Sequence, residues 1–294
     1  MPEISFNLLD EPWIRLMGED CTVRECTLPQ ALLESHRYRR LAGELPTQDV
    51  AILRLLLAVL HTIFYRVDLD GEEDPIEEPS QALRRWQQLW KAGCFPEAPI
   101  RNYLNEWKDR FWLFHPERPF FQVPSAAAGT KYTAAKLNGE LSESSNKVRL
   151  FPLRAGQDKN GLSYAEAARW LVNLNGFDDT SAKPKGKGLP SPGAGWLGKL
   201  GLVYVEGKTF FETLMLNLTL LKDGRQLWEE PAPVWELDKP RAAERTEIAM
   251  PDNLAELFTL QSRRLLLIRE NAQVVGYTLL GGDFFSKINA DAEQ

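Results

Sequence analysis

The chain has 294 residues, 44% of them apolar and 10% aromatic, which excludes a disordered polypeptide and allows a sizeable core in one large or two ordinary domains. Its 41 acidic residues outnumber 35 basic ones, for a formal net charge of −6. A protein coated in nucleic acid is thereby excluded, and any nucleic-acid site must be a local basic patch.

From the N-terminus, residues 13–17 and 21–26 alternate about the turn Gly18-Glu19-Asp20, which predicts a β-hairpin. A short helix follows over 28–36. Thr47 then heads a helix over 48–66 with Leu53, Leu56, Leu57, Leu60 and Phe64 on its apolar face. Its apolar run, 50–64, is interrupted by Arg54 and His61 and is short for a membrane span, so it reads as a buried helix. The acidic run 68–78 (DLDGEEDPIEE) is expected to be an exposed connection facing away from any phosphate. Ser80 heads the next helix, which carries Leu83, Trp86, Leu89 and Trp90 and stops at Gly93; a third helix is predicted over 100–114. Aromatic residues at helical spacing are read as core, with no base-stacking role.

Periodicity is lost over 129–161, a predicted long loop carrying Lys147, Arg149, Arg154 and Lys159. It ends at a capping box, Ser163-Tyr164-Ala165-Glu166, opening a helix through Asn175 that stops at Gly176. The segment 176–201 then reads GFDDTSAKPKGKGLPSPGAGWLGKLG. Lys183, Lys185, Lys187 and Lys199 have no carboxylate between them, and Gly186, Gly188, Gly193 and Gly195 alternate with Pro184, Pro190 and Pro192. Glycine and proline at this density forbid a long helix or a regular ladder. Backbone N–H groups are left exposed beside ammonium groups, and that combination suits phosphates. The plain alternative is a solvated loop whose lysines serve solubility. If the intervening helix presents both loops to one side, an anionic ligand meets about eight cations against two or three acids.

Beyond the loop, 202–205 reads as a short strand, Glu206-Gly207 as a turn and 210–221 as an amphipathic helix. A Pro-rich, charged link over 227–251 looks unfit for a core element, and 263–269 with 274–280 form a second hairpin about Glu270-Asn271-Ala272. No repeat and no βαβ regularity is visible. The class is α+β, mixed helices and short β-hairpins in one large globular domain.

Cys21, Cys26, Cys94, His36, His61 and His115 show no CxxC, HxxxH or HExxH spacing, which argues against a zinc site or a disulfide framework. Met1 is followed by Pro2-Glu3-Ile4, with no basic and apolar leader. A cytoplasmic protein without metal or cofactor is expected. Asp178, Asp179 and Glu206 are the only carboxylates near the loops, and no histidine is close to them in sequence. That speaks against an enzyme.

Further motifs sit in a characteristic order: Phe6-Asn7-Leu8-Leu9-Asp10-Glu11-Pro12-Trp13-Ile14; Phe114-His115-Pro116-Glu117-Arg118-Pro119-Phe120-Phe121-Gln122; Asn146 with Leu150-Phe151; Trp170 leading to Asn175-Gly176-Phe177; Gly195-Trp196; Trp235-Glu236; and Gln261-Ser262-Arg263-Arg264. In this the chain resembles the large subunit of type I-E CRISPR Cascade complexes, the CasA family. The resemblance implies a non-catalytic subunit that recognises the protospacer-adjacent motif on target double-stranded DNA, helps open the duplex for the guide RNA, and helps recruit a separate helicase-nuclease.

The resemblance also implies which residues touch nucleic acid. The loop holding Asn146, Lys147, Arg149 and Phe151 would contact the RNA 5′ end, neighbouring Cascade subunits or the target DNA, and Gly176, Gly186, Gly188, Gly193 and Gly195 with Lys183, Lys185, Lys187 and Lys199 would approach the DNA minor groove. Two features depart from the family pattern. Consecutive glycines are expected after Phe177, where this chain has Asp178-Asp179, so the groove-reading backbone is assigned to 186–195. The family continues into a wedge-bearing hairpin and a C-terminal helical bundle, so 1–294 is expected to be the N-terminal α+β domain, with Lys287 the candidate hairpin lysine. A scaffold binding only protein partners stays open, because a Lys-Gly loop can also dock on an acidic protein surface.

Overall fold

The computed structural model describes residues 4–139, 154, 156–177 and 202–285. The N-terminal hairpin forms as expected, β2 (Ile14–Gly18) against β3 (Val23–Cys26) with Ile14 opposite Cys26. A third strand, β4 (Tyr38–Leu41), joins the other edge of β2, while β1 (Ser5–Asn7) pairs instead with the distant β5 (Trp112–Phe114). Helix α1 (Leu28–Leu33) is shorter than predicted and is capped by Thr27 and Gln30. Its chain continues as a 3-10 turn, Ser35–Arg37, into β4.

Helix α2 (Pro46–Arg66) is the axis of the molecule. Leu45, not Thr47, is its N-cap, and no side chain caps it; Pro46 opens the first turn, where its missing N–H is no loss. At 21 residues and mean hydropathy 1.5 the helix is long and apolar enough to cross a membrane, contrary to the length argument from sequence. Here 89% of its most apolar window is buried inside the protein.

Helix α3 (Pro79–Ala92) is capped by Glu78 and Gln81 rather than headed by Ser80, and Gly93 at φ +71° ends it in the left-handed region. Its buried stripe is Ala82, Arg85 and Leu89, so the helix is rotated from the predicted face. Leu83 and Trp90, expected in the core, are 54% and 39% exposed. The cause is Arg85, whose guanidinium turns inward to the carbonyls of Phe64 and Val67, at the C-terminal end of α2, and to Asp74. It supplies donors to carbonyls that the ending helix leaves unpaired.

The helix predicted over 100–114 breaks into α4 (Glu97–Glu106), a 3-10 turn Lys108–Arg110 and β5. The start of the predicted 129–161 loop is ordered as β6 (Thr130–Thr133) and α5 (Ala134–Leu137). Helix α6 (Tyr164–Phe177) begins at the predicted capping box, with the Glu166 N–H donating to Ser163 Oγ at 3.3 Å and the Ser163 N–H donating to Glu166 Oε2 at 2.8 Å. Helix α7 (Phe210–Asn217) starts at Thr209 and ends four residues early.

Residues 202–205 form no strand with the other described residues. The Asn217 side chain serves as their ladder, accepting from the Val205 N–H at 3.0 Å and donating to the Val205 carbonyl at 2.7 Å. The Pro-rich link contains more structure than its composition predicts: Trp235 is buried, β7 (Arg245–Ile248) pairs in parallel with β10 (Asp283–Phe285), and α8 (Leu254–Thr259) follows. The C-terminal hairpin, β8 (Arg263–Glu270) and β9 (Gln273–Gly281), matches the prediction, and β6 extends it to a three-stranded sheet ordered β6-β9-β8. Gly276 is required there, since a Cβ would lie 2.3 Å from the Tyr132 carbonyl oxygen of β6. The whole is α+β, with most elements packed on one continuous core.

The β8–β9 turn places both Asn271 (φ +49°) and Ala272 (φ +62°) in the left-handed region. Asparagine tolerates this and alanine does not. Ala272→Gly is expected to raise stability by about 0.5–1 kcal/mol, read as a higher urea midpoint at unchanged slope, whereas Ala272→Val should lower it.

Candidate nucleic-acid interface

Of the residues assigned to nucleic acid from sequence, Gly176 alone lies among the described residues. It is buried in the last turn of α6, which runs two residues past Asn175, the predicted last helical residue. Asn146, Lys147, Arg149, Phe151, Lys183, Lys185, Gly186, Lys187, Gly188, Gly193, Gly195, Lys199 and Lys287 lie outside them. What the structure defines is the frame from which the two basic segments depart.

That frame is α6 and its fastenings. Arg169, 3% exposed, donates to the Trp13 carbonyl and to Glu25, both at 2.8 Å, tying α6 to β2 and β3. Glu44 lies in the turn before α2. Its carboxylate takes Trp170 Nε1 at 3.2 Å and Arg154 Nη2 at 2.9 Å, and Arg154 also reaches Glu166 at 2.9 Å. Arg154, counted from sequence among free loop cations, is thus held between two carboxylates and contributes no net positive field. Lys159 is exposed on the turn Gly156–Lys159. At the other end, the Asn175 carbonyl accepts from Ser262 Oγ, which fixes the last turn of α6 to the start of β8. The fourteen-residue helix holds the two departure points about 20 Å apart.

The second segment returns at Leu202 beside a cavity of about 460 Å³, lined among others by Arg15, Met17, Arg40, Asp49, Tyr204 and Phe210. This is the size of a small-molecule pocket. Asp49 accepts from the Gly43 N–H at 2.7 Å. Burial pushes its carboxyl up to about 6, partly offset by the Gly43 bond and by Arg40, Arg15 and Arg169. Neither Asp49 nor Glu44 was flagged from sequence. The partners of Glu44 lie too far along the chain for any local pattern to reveal them, and Asp49 with Gly43 forms no motif read from the sequence. Among the described residues, no three of His, Cys, Asp and Glu converge as metal ligands.

With this geometry in place, the sequence matches the family described as CRISPR-associated protein Cse1 (CRISPR_cse1) over residues 7–293. The chain belongs to the Cse1 family. It is 34% identical over 232 residues to the CRISPR-associated protein CasA/Cse1 of Thermus thermophilus, a stretch that covers 79% of this chain and 42% of that protein. The crystal structure of Thermobifida fusca Cse1 superposes with a TM-score of 0.76 at 32% identity, covering 97% of this chain and 53% of that one. A chain of a CRISPR RNA-guided surveillance complex in a pre-nicking state shares the fold, with a TM-score of 0.71 at 22% identity, covering 97% of this chain and 56% of that one. The chain therefore spans about half the length of the Cse1 relatives it matches.

The raised Asp49 pKa has a stability consequence with a definite sign. The folded state holds this proton more tightly than the unfolded chain, whose carboxyl ionises near 3.8. Ionisation in the folded state therefore costs stability. The cost is absent below that value, grows as pH rises to about 6, and is constant above. Asp49→Asn, which keeps the acceptor for Gly43, should be more stable than the parent by about 1–3 kcal/mol above pH 6, with the advantage gone near pH 4. Paired denaturation curves across that range check it.

Proposed function

We propose that this Cse1-family chain is the N-terminal part of the large subunit of a type I-E CRISPR surveillance complex. In that complex it recognises the protospacer-adjacent motif on target double-stranded DNA. The family match over residues 7–293 carries the reading. The segment 176–201 supports it: four lysines without an intervening carboxylate, in a chain of net charge −6, between two helices fastened to the core.

On this reading the lysines attract the phosphates and glycine backbone reaches into the minor groove, where readout is degenerate. Guide RNA pairing supplies the sequence specificity. The subunit aids duplex opening, contacts guide RNA and other Cascade subunits, helps recruit the helicase-nuclease, and acts in the cytoplasm with no catalytic step of its own.

One observation favours a second reading, a protein–protein scaffold without direct DNA contact. Leu83, Trp90, Leu216, Val203 and Val205 are 38–97% exposed, and Trp86 Nε1 on the Met215 carbonyl and Asn217 on Val205 hold α3, α7 and 202–205 side by side. Exposed apolar side chains gathered this way mark a surface for protein contact.

Replacing Lys183, Lys185, Lys187 and Lys199 together by alanine separates the two readings. In the full-length subunit assembled with guide RNA and its partners, the variant should bind target duplex more weakly and lower the slope of log K against log salt by up to about 3–4. Unchanged affinity and slope would favour the scaffold.

A further inference from the structure

Arg110 and Arg118 share a cleft without an acid between them. Arg110 closes the 3-10 turn Lys108–Arg110, and Arg118 sits in the turn 115–119, where the N–H groups of Glu117 and Arg118 donate to His115 Nδ1 at 3.1 and 3.0 Å. Both are half-buried and face about 40 Å³ of free space lined by Phe120, Gln122, Trp235 and Gln261.

Several other arginines below the surface meet an acid: Arg66 with Glu236, Arg85 with Asp74, Arg154 with Glu44, Arg169 with Glu25, Arg264 with Asp283. Arg15 has Asp49 as a neighbouring charge. Arg110 and Arg118 make no ion pair and no side-chain hydrogen bond among the described residues. Arg110 instead lies 5.9 Å from the ring of Trp107. Burial, and after it the positive charge of Arg118, hold the Arg110 guanidinium below the usual arginine range, and Asp238 and Asp109 offset this only in part. Two like charges in a semi-enclosed cleft are a standing cost in the free protein. An anion seated between them removes it.

The donor set selects the anion. A carboxylate can accept from two guanidinium groups, as Asp283 does from Arg245 and Arg264, but it offers only two oxygens, both in one plane. A phosphoryl group presents three or so acceptor oxygens in a tetrahedral array and can engage both. By the same volume measure one water needs roughly 10–15 Å³, so the cleft has room for an oxyanion. We propose that the Arg110–Arg118 cleft is an oxyanion site that takes a phosphoryl group, borne either by a nucleic-acid backbone or by a small phosphate. The proposal does not depend on the function assigned to the 176–201 segment.

The test is thermal unfolding of this chain in inorganic phosphate against chloride at matched ionic strength. The parent, Arg110→Gln/Arg118→Gln and the quadruple lysine variant are compared. Phosphate should raise the parent midpoint about 2–4 °C beyond chloride. The arginine double variant should lose that increment and, in chloride, melt no lower than the parent because the repulsion is gone. The lysine variant should keep it. No phosphate-specific shift in the parent, an equal shift in the arginine variant, or an arginine variant that melts lower in chloride would each overturn the proposal, as would a shift produced by an acidic peptide and not by phosphate. A short DNA duplex identifies the source. A salt slope reduced by about 1–2 in the arginine variant assigns the site to a nucleic-acid backbone, and unchanged duplex binding with the phosphate shift intact assigns it to a small phosphate.

Discussion

An apolar helix of 21 residues has to be hidden, and the rest of the molecule is arranged around that requirement. Sixteen residues of α2 are buried, including Leu53, Leu56, Leu57, Leu60 and Phe64. At about 1.5–3 kcal/mol for each large side chain, their burial is a leading favourable contribution to folding. Burial on every face is also demanding, because the helix carries Arg54 and His61. Arg54 lies 4.9 Å from the Phe258 ring and donates to the Leu257 carbonyl at 3.3 Å, which docks α8 on α2. His61 stacks on Tyr65 at 5.5 Å, and burial drives its pKa down to about 3, so the ring stays neutral at physiological pH.

Enclosing α2 fixes where the basic segments leave the core. The turn that starts α2 contains Gly43 and Glu44, and through Glu44 it fastens Arg154 and Trp170. The same turn borders the Asp49 cavity, whose far wall is Tyr204, three residues beyond the end of the second basic segment. One structural element therefore sets the departure of the first segment and the return of the second. A buried ion pair adds little net stability, but removing one member strands the other, so Glu44, Arg154 and Arg169 serve to fix geometry more than to strengthen the fold.

Elements with local signals were legible in the sequence: the two hairpins, α2, and the Ser163–Glu166 capping box. Elements that need a distant partner were not, such as β1 on β5, β4 on β2, and β7 on β10, each too short to show a period of its own. Leu83 and Trp90 were misread because the inward turn of Arg85 rotates α3, and no hydropathy pattern contains that. The family resemblance, by contrast, rested in part on residues that the structure shows to be polar hubs. Asn7 accepts from the Leu9 N–H and donates to the Lys108 carbonyl; Gln122 joins the Leu113 carbonyl to the Leu267 N–H; Arg264 meets Asp283 and the Ala243 carbonyl. Such residues are dictated by buried backbone groups that nothing else can satisfy. The candidate DNA residues, Gly176 apart, lie outside the described residues and were read from composition and resemblance alone.

The buried arginines contrast with the lysines of segment 176–201 along the same line. Arginine is used where geometry is fixed: Arg85, Arg169 and Arg264 are at most 3% exposed and present their planar forks to defined oxygens. Segment 176–201 contains lysine and no arginine. An ammonium on a flexible stem attracts phosphate without demanding one orientation, whereas bidentate recognition of a base edge is an arginine task. A segment with lysines, glycines and no arginine is therefore suited to hold a duplex close while reading little of its sequence through side chains. If the segment binds DNA as proposed, any discrimination it exerts must come from how near its backbone can approach the groove floor, which depends on glycine.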